Sequence, residues 1–235
     1  MCLPISLAAA PPVLSEKLTD EQIAQARADY TKTTKALETY RTEQLKIYNK
    51  ARTKAEKVKV LEETRTRLQA DLNDKIFPAW DGTTWAFHGI STKPGEGEIA
   101  CGYFVSTCLK QMGFNINRIK LAQQASQRII KTFVPRKKMS ISSGKSMEQI
   151  TEYLKTTGNG TYIVGLDTHV GFVTVEGDEM RFVHSSYYSP ERQVKSELID
   201  GKNPLADSKY RVFGKIFADD MIEKWLKNEP FPVAK

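Results

Sequence analysis

Cysteine and histidine are scarce in this chain, with three of each in 235 residues. Three cysteines do not make a disulfide framework. Cys101 and Cys108 fall seven residues apart on one predicted helix. At 1.5 Å per residue that is about 10 Å along the axis, beyond the ~7 Å Cα separation a bridge tolerates. Cys108 therefore reads as core. Neither C-x-x-C nor H-x-x-x-H occurs, and no fourth ligand accompanies Cys101, His169 and His184, so no metal is expected. No apolar run approaches the ~20 residues of a membrane-spanning helix, so no transmembrane segment is expected. Basic charge is not gathered into an Arg/Lys-rich arm or a basic patch interleaved with aromatics. Nucleic acid is therefore not the expected partner, although a net charge of +7 and a pI near 9.2 suit an acidic polymer such as cell wall.

The chain has room for one good-sized domain and an appendage. Its first residues, M-C-L-P-I-S-L-A-A-A-P-P, read as the back half of a secretion signal: a short apolar run, then small residues Ala8, Ala9 and Ala10. Export to the periplasm, cell surface or medium is the expectation, with Cys2 as an alternative lipid acceptor. Between Thr19 and about Asp74 there is neither proline nor glycine. Thr19-Asp20-Glu21-Gln22 has the form of a capping box, and good helix formers follow. Ile23, Tyr30, Leu37, Ala51, Val58 and Leu72 form one apolar row, with Tyr40, Ile47, Leu61 and Leu68 beside it. The pattern predicts a long helix or helical hairpin with a weak coiled-coil seam. It serves either as an arm for self-association or a partner, or as an appendage folded onto the next domain. The expected division is 1–17 leader, 18–77 helical region and 78–235 main domain.

Residues 99–113 carry the chemistry. At helical spacing Cys101, Phe104, Val105, Cys108, Leu109 and Met112 share a face, and Gly113 is a natural stop. Cys101 then lies in the first turn, where unsatisfied N–H groups favour a thiolate. A second helix is predicted over residues 117–133, a basic loop over 135–138, and a short helix opened by the capping box Ser146-Met147-Glu148-Gln149. After the turn at 157–160 the period changes. Strands are predicted over 161–166, 170–176, 179–185 and 209–217, with a polar loop before the last and a helix over 219–227. Helices first and antiparallel strands after make an α+β domain.

Gly177-Asp178 is a two-residue hairpin turn. Pairing Glu176 with Glu179 sets Gly171 opposite His184 and His169 opposite Ser186. His169 and His184 then become diagonal neighbours on one face, about 7–8 Å apart at the backbone. Val173, Val175, Met180 and Phe182 make that the core face, on which the Cys101 helix is expected to pack. The opposite face, with Thr174, Glu176, Glu179 and Arg181, suits solvent. A thiol at a helix start, a facing histidine and a second polar group orienting it make an activated nucleophile.

These residues resemble a family, the NlpC-type cell-wall endopeptidases, which are bacterial papain-like cysteine peptidases. The counterparts are W-A-F-H-G-I-S (85–91), A-C-G-Y-F-V (100–105), T-H-V-G-F-V (168–173) and R-F-V-H-S-S (181–186), so the resemblance spans residues 81–186. It implies a papain-like α+β domain with the antiparallel sheet packed on the nucleophile helix. It also implies Cys101 as nucleophile, His169 as general base and acid, and His184 as the orienting residue. Trp85 takes the place of a family tyrosine near an oxyanion site, to which the backbone at Cys101 and Gly102 contributes. Three departures stand out. Ala100 replaces the usual Asp or Asn, Gly102 follows the cysteine where serine is usual, and the Cys-to-His interval is long. The expected activity is hydrolysis of an amide bond in peptidoglycan stem peptides, with no cofactor. The alternatives are an amidase, deamidase or acyltransferase acting on another protein, or an inactive envelope scaffold.

Overall fold

The computed structural model describes residues 18–235; the leader, Cys2 and Ala8 to Ala10 lie outside the described residues. The proline- and glycine-free segment forms a helical hairpin, α1 (Asp20–Lys50) and α2 (Lys54–Asp71). Both helices open with complete capping boxes, at Thr19 and at Thr53. A π-helical turn (Leu72–Ile76) and a short helix α3 (Phe77–Trp80) continue from α2. Leu37, Leu68 and Leu72 are fully buried and join the core of the rest of the chain. The Trp80 indole donates to the buried Tyr30 hydroxyl at 3.0 Å. Each buried leucine contributes roughly 1.5–3 kcal/mol. A half-exposed ion pair such as Arg65–Asp219 adds no more than about 1 kcal/mol. Apolar burial thus fixes the hairpin to the domain. The seam differs in detail, because Ala51 lies in the bend, Ile47 is exposed and Val60 rather than Val58 is buried.

The helix predicted to begin at Cys101 is α4 (Cys101–Gln111), with Gly113 past its end at φ +85°. The helix expected over 117–133 is instead two, α5 (Arg118–Ala122) and α6 (Ser126–Phe133). The break lets the Ala122 carbonyl come against Gly102, where a Cβ would strike it. Next come β1 (Met139–Ser143), α7 (Met147–Thr157), β2 (Gly160–Leu166), β3 (Val170–Glu176), β4 (Glu179–Ser185) and β5 (Val194–Leu198). α8 (Pro204–Asp207), β6 (Tyr210–Lys215) and α9 (Asp219–Leu226) complete the chain. The strands form one antiparallel sheet in the order β1-β6-β2-β3-β4-β5. β1 and β5, for which no strands were predicted, are its two edges.

Glu176 does pair with Glu179, and Val173 with Phe182. The sheet is nevertheless buried on both faces. Tyr162, Val164, Val173, Phe182 and Phe213 pack with Ile150 and Leu154 of α7 and Leu205 of α8. Ile163, Phe172, Val183 and Val212 pack on the other side with α4, α6, the hairpin and α9. The Phe104 ring of α4 meets Phe172 at 6.0 Å. The face expected to suit solvent is therefore the one that α4 covers, and it is open toward its hairpin end, at Glu176 and Leu198. Among the described residues no helix is long and apolar enough to cross a membrane.

Candidate active site

Because side chains alternate along a strand, Phe172 toward α4 puts His169 and His184 on the other face, beside Phe182. The His184 and Phe182 rings stack at 4.0 Å. The Cys101 helix therefore does not lie over the histidines, as the hairpin pattern had implied. Its N-terminal end instead abuts the end of the sheet. Three tethers hold it there. The Ser185 hydroxyl of β4 donates to the Ile99 carbonyl at 2.7 Å, the Ala100 N–H donates to Gly89, and the Ile99 N–H donates to Thr84. Arg118 secures the preceding loop through the Ile90 and Ser91 carbonyls, each at 2.8 Å.

Cys101 is half-buried, and its sulfur faces the backbone N–H of Val170, the residue after His169. Ala100 supplies no side-chain cap to α4. The N–H groups of Cys101 and Gly102 are accordingly left to the thiol, and with Val170 they favour its charged form. Burial outweighs them and pushes the thiol above its ordinary range. The expected resting thiolate is thus corrected to a resting thiol, because the helix end is desolvated by the sheet and by α5. Alkylation of Cys101 by iodoacetamide, followed by peptide mass mapping, should have its half-maximal rate above the ~8.5 of a free cysteine. A midpoint below that value would mean that the N–H groups dominate. Cys108 is fully buried in the core.

The histidines form a connected pair. His169 Nε2 and His184 Nδ1 are 2.8 Å apart, and His184 Nε2 lies 2.7 Å from Glu197 Oε1. Both rings are buried, and burial lowers both well below the ordinary histidine range, with His184 opposing charge on His169 and Lys195 opposing charge on His184. Each is neutral at neutral pH. His169 Nδ1 is buried and makes no hydrogen bond among the described residues. The room for this pair comes from Gly171, where a Cβ would stand 2.8 Å from that of His184.

Two residues here were not expected from sequence. Glu197 lies on edge strand β5, opposite Phe182, while Lys195 pairs with His184. The strand V-K-S-E-L has apolar residues only at its ends and reads as loop. Tyr187, from the S-S-Y-Y run after β4, sets its ring 5.2 Å from His169 and 5.9 Å from Trp85. Trp85 therefore belongs to an aromatic wall beside His169. Gly102 meets the thiol through its backbone N–H. No cluster of three or more His, Cys, Asp or Glu able to hold a metal occurs among the described residues. Comparison of the chain with protein-family models, curated proteins and solved structures found no match.

Proposed function

We propose that the protein is a papain-like cysteine hydrolase that cleaves amide bonds, with peptidoglycan stem peptides as its substrate. The observation that carries this reading is the buried His169–His184 pair, with one unpartnered ring nitrogen, at the strand end against which the Cys101 sulfur rests. A neutral imidazole and an un-ionised thiol suit general-base attack rather than a preformed ion pair. Cys101 Sγ adds to the amide carbonyl carbon as its proton passes to His169 Nδ1. The carbonyl oxygen gains the charge and is met by the Cys101 and Gly102 N–H groups. When the tetrahedral adduct collapses, the C–N bond breaks and the proton goes from His169 to the leaving amine. Water then hydrolyses the thioester, giving up its proton to His169 and restoring the thiol.

The cell-wall assignment is supported by the order Cys101, His169, His184 within the resembling segments and by the basic net charge. Purified peptidoglycan incubated with the protein should release new amino groups, and the Cys101→Ala protein should release none. Release by both, or by neither, would remove the reading.

A further inference from the structure

We propose that Glu197 is a positioning residue that sets the direction of every proton in the relay. Its carboxylate keeps His184 as the Nε2–H tautomer, His184 keeps His169 as the Nε2–H tautomer, and the lone pair of His169 Nδ1 is thereby left free. That this lone pair receives the Cys101 proton rests on the hydrolase reading; the tautomers do not.

Two contacts and the buried His169 Nδ1 carry the inference. A carboxylate can only accept, so the 2.7 Å contact requires a proton on His184 Nε2. A neutral imidazole carries one N–H, so His184 Nδ1 is then an acceptor. The 2.8 Å contact to it requires a proton on His169 Nε2, which leaves Nδ1 bare. That Nδ1 is buried and has no hydrogen-bond partner among the described residues. A bare acceptor so placed loses less than a stranded N–H donor would. The reverse arrangement, with His169 Nδ1–H pointing at nothing, would bury an unsatisfied donor and occupy the base position.

Register makes the arrangement specific. Phe182 pairs with Glu197 and His184 with Lys195, so Glu197 and His184 share a face as diagonal neighbours on β4 and β5. Phe182 stacks under the His184 ring and holds its plane. The charged groups that act on Glu197 are Lys195 on β5 and Arg181 on β4, both favouring its ionised form, while burial raises its carboxyl above the ordinary value. His184 is faced by Glu197, Lys195 and His169, and His169 by His184 and the Tyr187 ring. A protonated Glu197 would donate to His184 Nε2 and reverse both tautomers. The relay therefore loses its base as pH falls through a Glu197 value above the ordinary carboxylate range.

Long-range ¹H–¹⁵N correlation of the full, uniformly labelled chain reads ring tautomers directly, with exposed His88 as an internal comparison. His169 and His184 should both appear as Nε2–H at neutral pH. Lowering the pH should mix or reverse them together. In Glu197→Leu and Glu197→Gln both histidines should show mixed tautomers, and turnover should fall by about 10²–10⁴-fold, the scale seen when a histidine base loses the group fixing its tautomer. Nδ1–H on either histidine in the wild-type chain would overturn the proposal. So would unchanged tautomers in either variant that folds. Fixed Nε2–H tautomers that mix in the variants, with no amide hydrolysis by any form, would uphold the relay and remove the hydrolase reading.

Discussion

Cys101→Ala should lower amide hydrolysis by about 10⁵–10⁶-fold, the loss found when a nucleophile working as one unit with its base is removed. Without Sγ the proposed covalent route has no nucleophile. The fold should persist. Cys101 is half-buried at the first turn of α4, and α4 is held by Phe104, Val105, Cys108 and Leu109, all fully buried. Alanine also suits a helix better than cysteine. Cys108→Ala should behave oppositely, lowering the melting temperature while leaving kcat/KM unchanged. Assaying amine release from stem peptides beside thermal melts separates the two cysteines. Equal activity losses in both variants would place the effect in packing rather than chemistry.

His169→Ala should cost about 10³–10⁴-fold in kcat and alter the pH profile. In the wild type the proposed base, His169, is neutral and its imidazole is pushed well below the ordinary histidine range by burial. A depressed value keeps the ring deprotonated as pH falls, so activity should hold below the ~6.5 at which a free histidine titrates. In the variant the thiol must ionise by itself. Because burial raises the thiol, the residual rate should climb with pH beyond the range of an ordinary cysteine. A wild-type acid limb at or above pH 6.5 would contradict a desolvated base. Steady-state rates from pH 4 to 10 on both proteins supply the comparison.

The Cys101 helix and the hairpin were legible because each depends on short-range rules: a 3.6-residue apolar repeat ending at Gly113, and a two-residue turn that fixes register. That register correctly set the His184 strand beside the His169 strand and made a glycine leave space for the ring. What covers each face was not legible. Phe172 and Val183 alternate with His184 and Val173, and both sets are apolar enough to be buried, so alternation alone cannot say which one α4 meets. The edge strands were missed for a related reason. An edge is paired on one side only, and β1 (M-S-I-S-S) and β5 (V-K-S-E-L) carry polar residues that read as loop. Glu197 went with β5. Its role depends on a cross-strand neighbour that no local pattern contains.

The thiol state was also a matter of packing. A helix start favours charge on Cys101, but contact with β3 and α5 removes water from it, and desolvation is the larger effect. The departures from the resembling family look different in the fold. Gly102 is required because the Ala122 carbonyl leaves no space for a side chain. Ala100 leaves the first N–H groups of α4 uncapped and turned to the thiol.

The most direct measurement is the mass of the peptide containing Cys101 after the protein is mixed with excess stem-peptide substrate and quenched in acid within one turnover. An added mass equal to the acyl half of the substrate, carried on Cys101 and released by hydroxylamine, is the expected result. Substrate turnover with Cys101 unmodified at every quench time, and unaffected by Cys101→Ala, would contradict a thiol nucleophile.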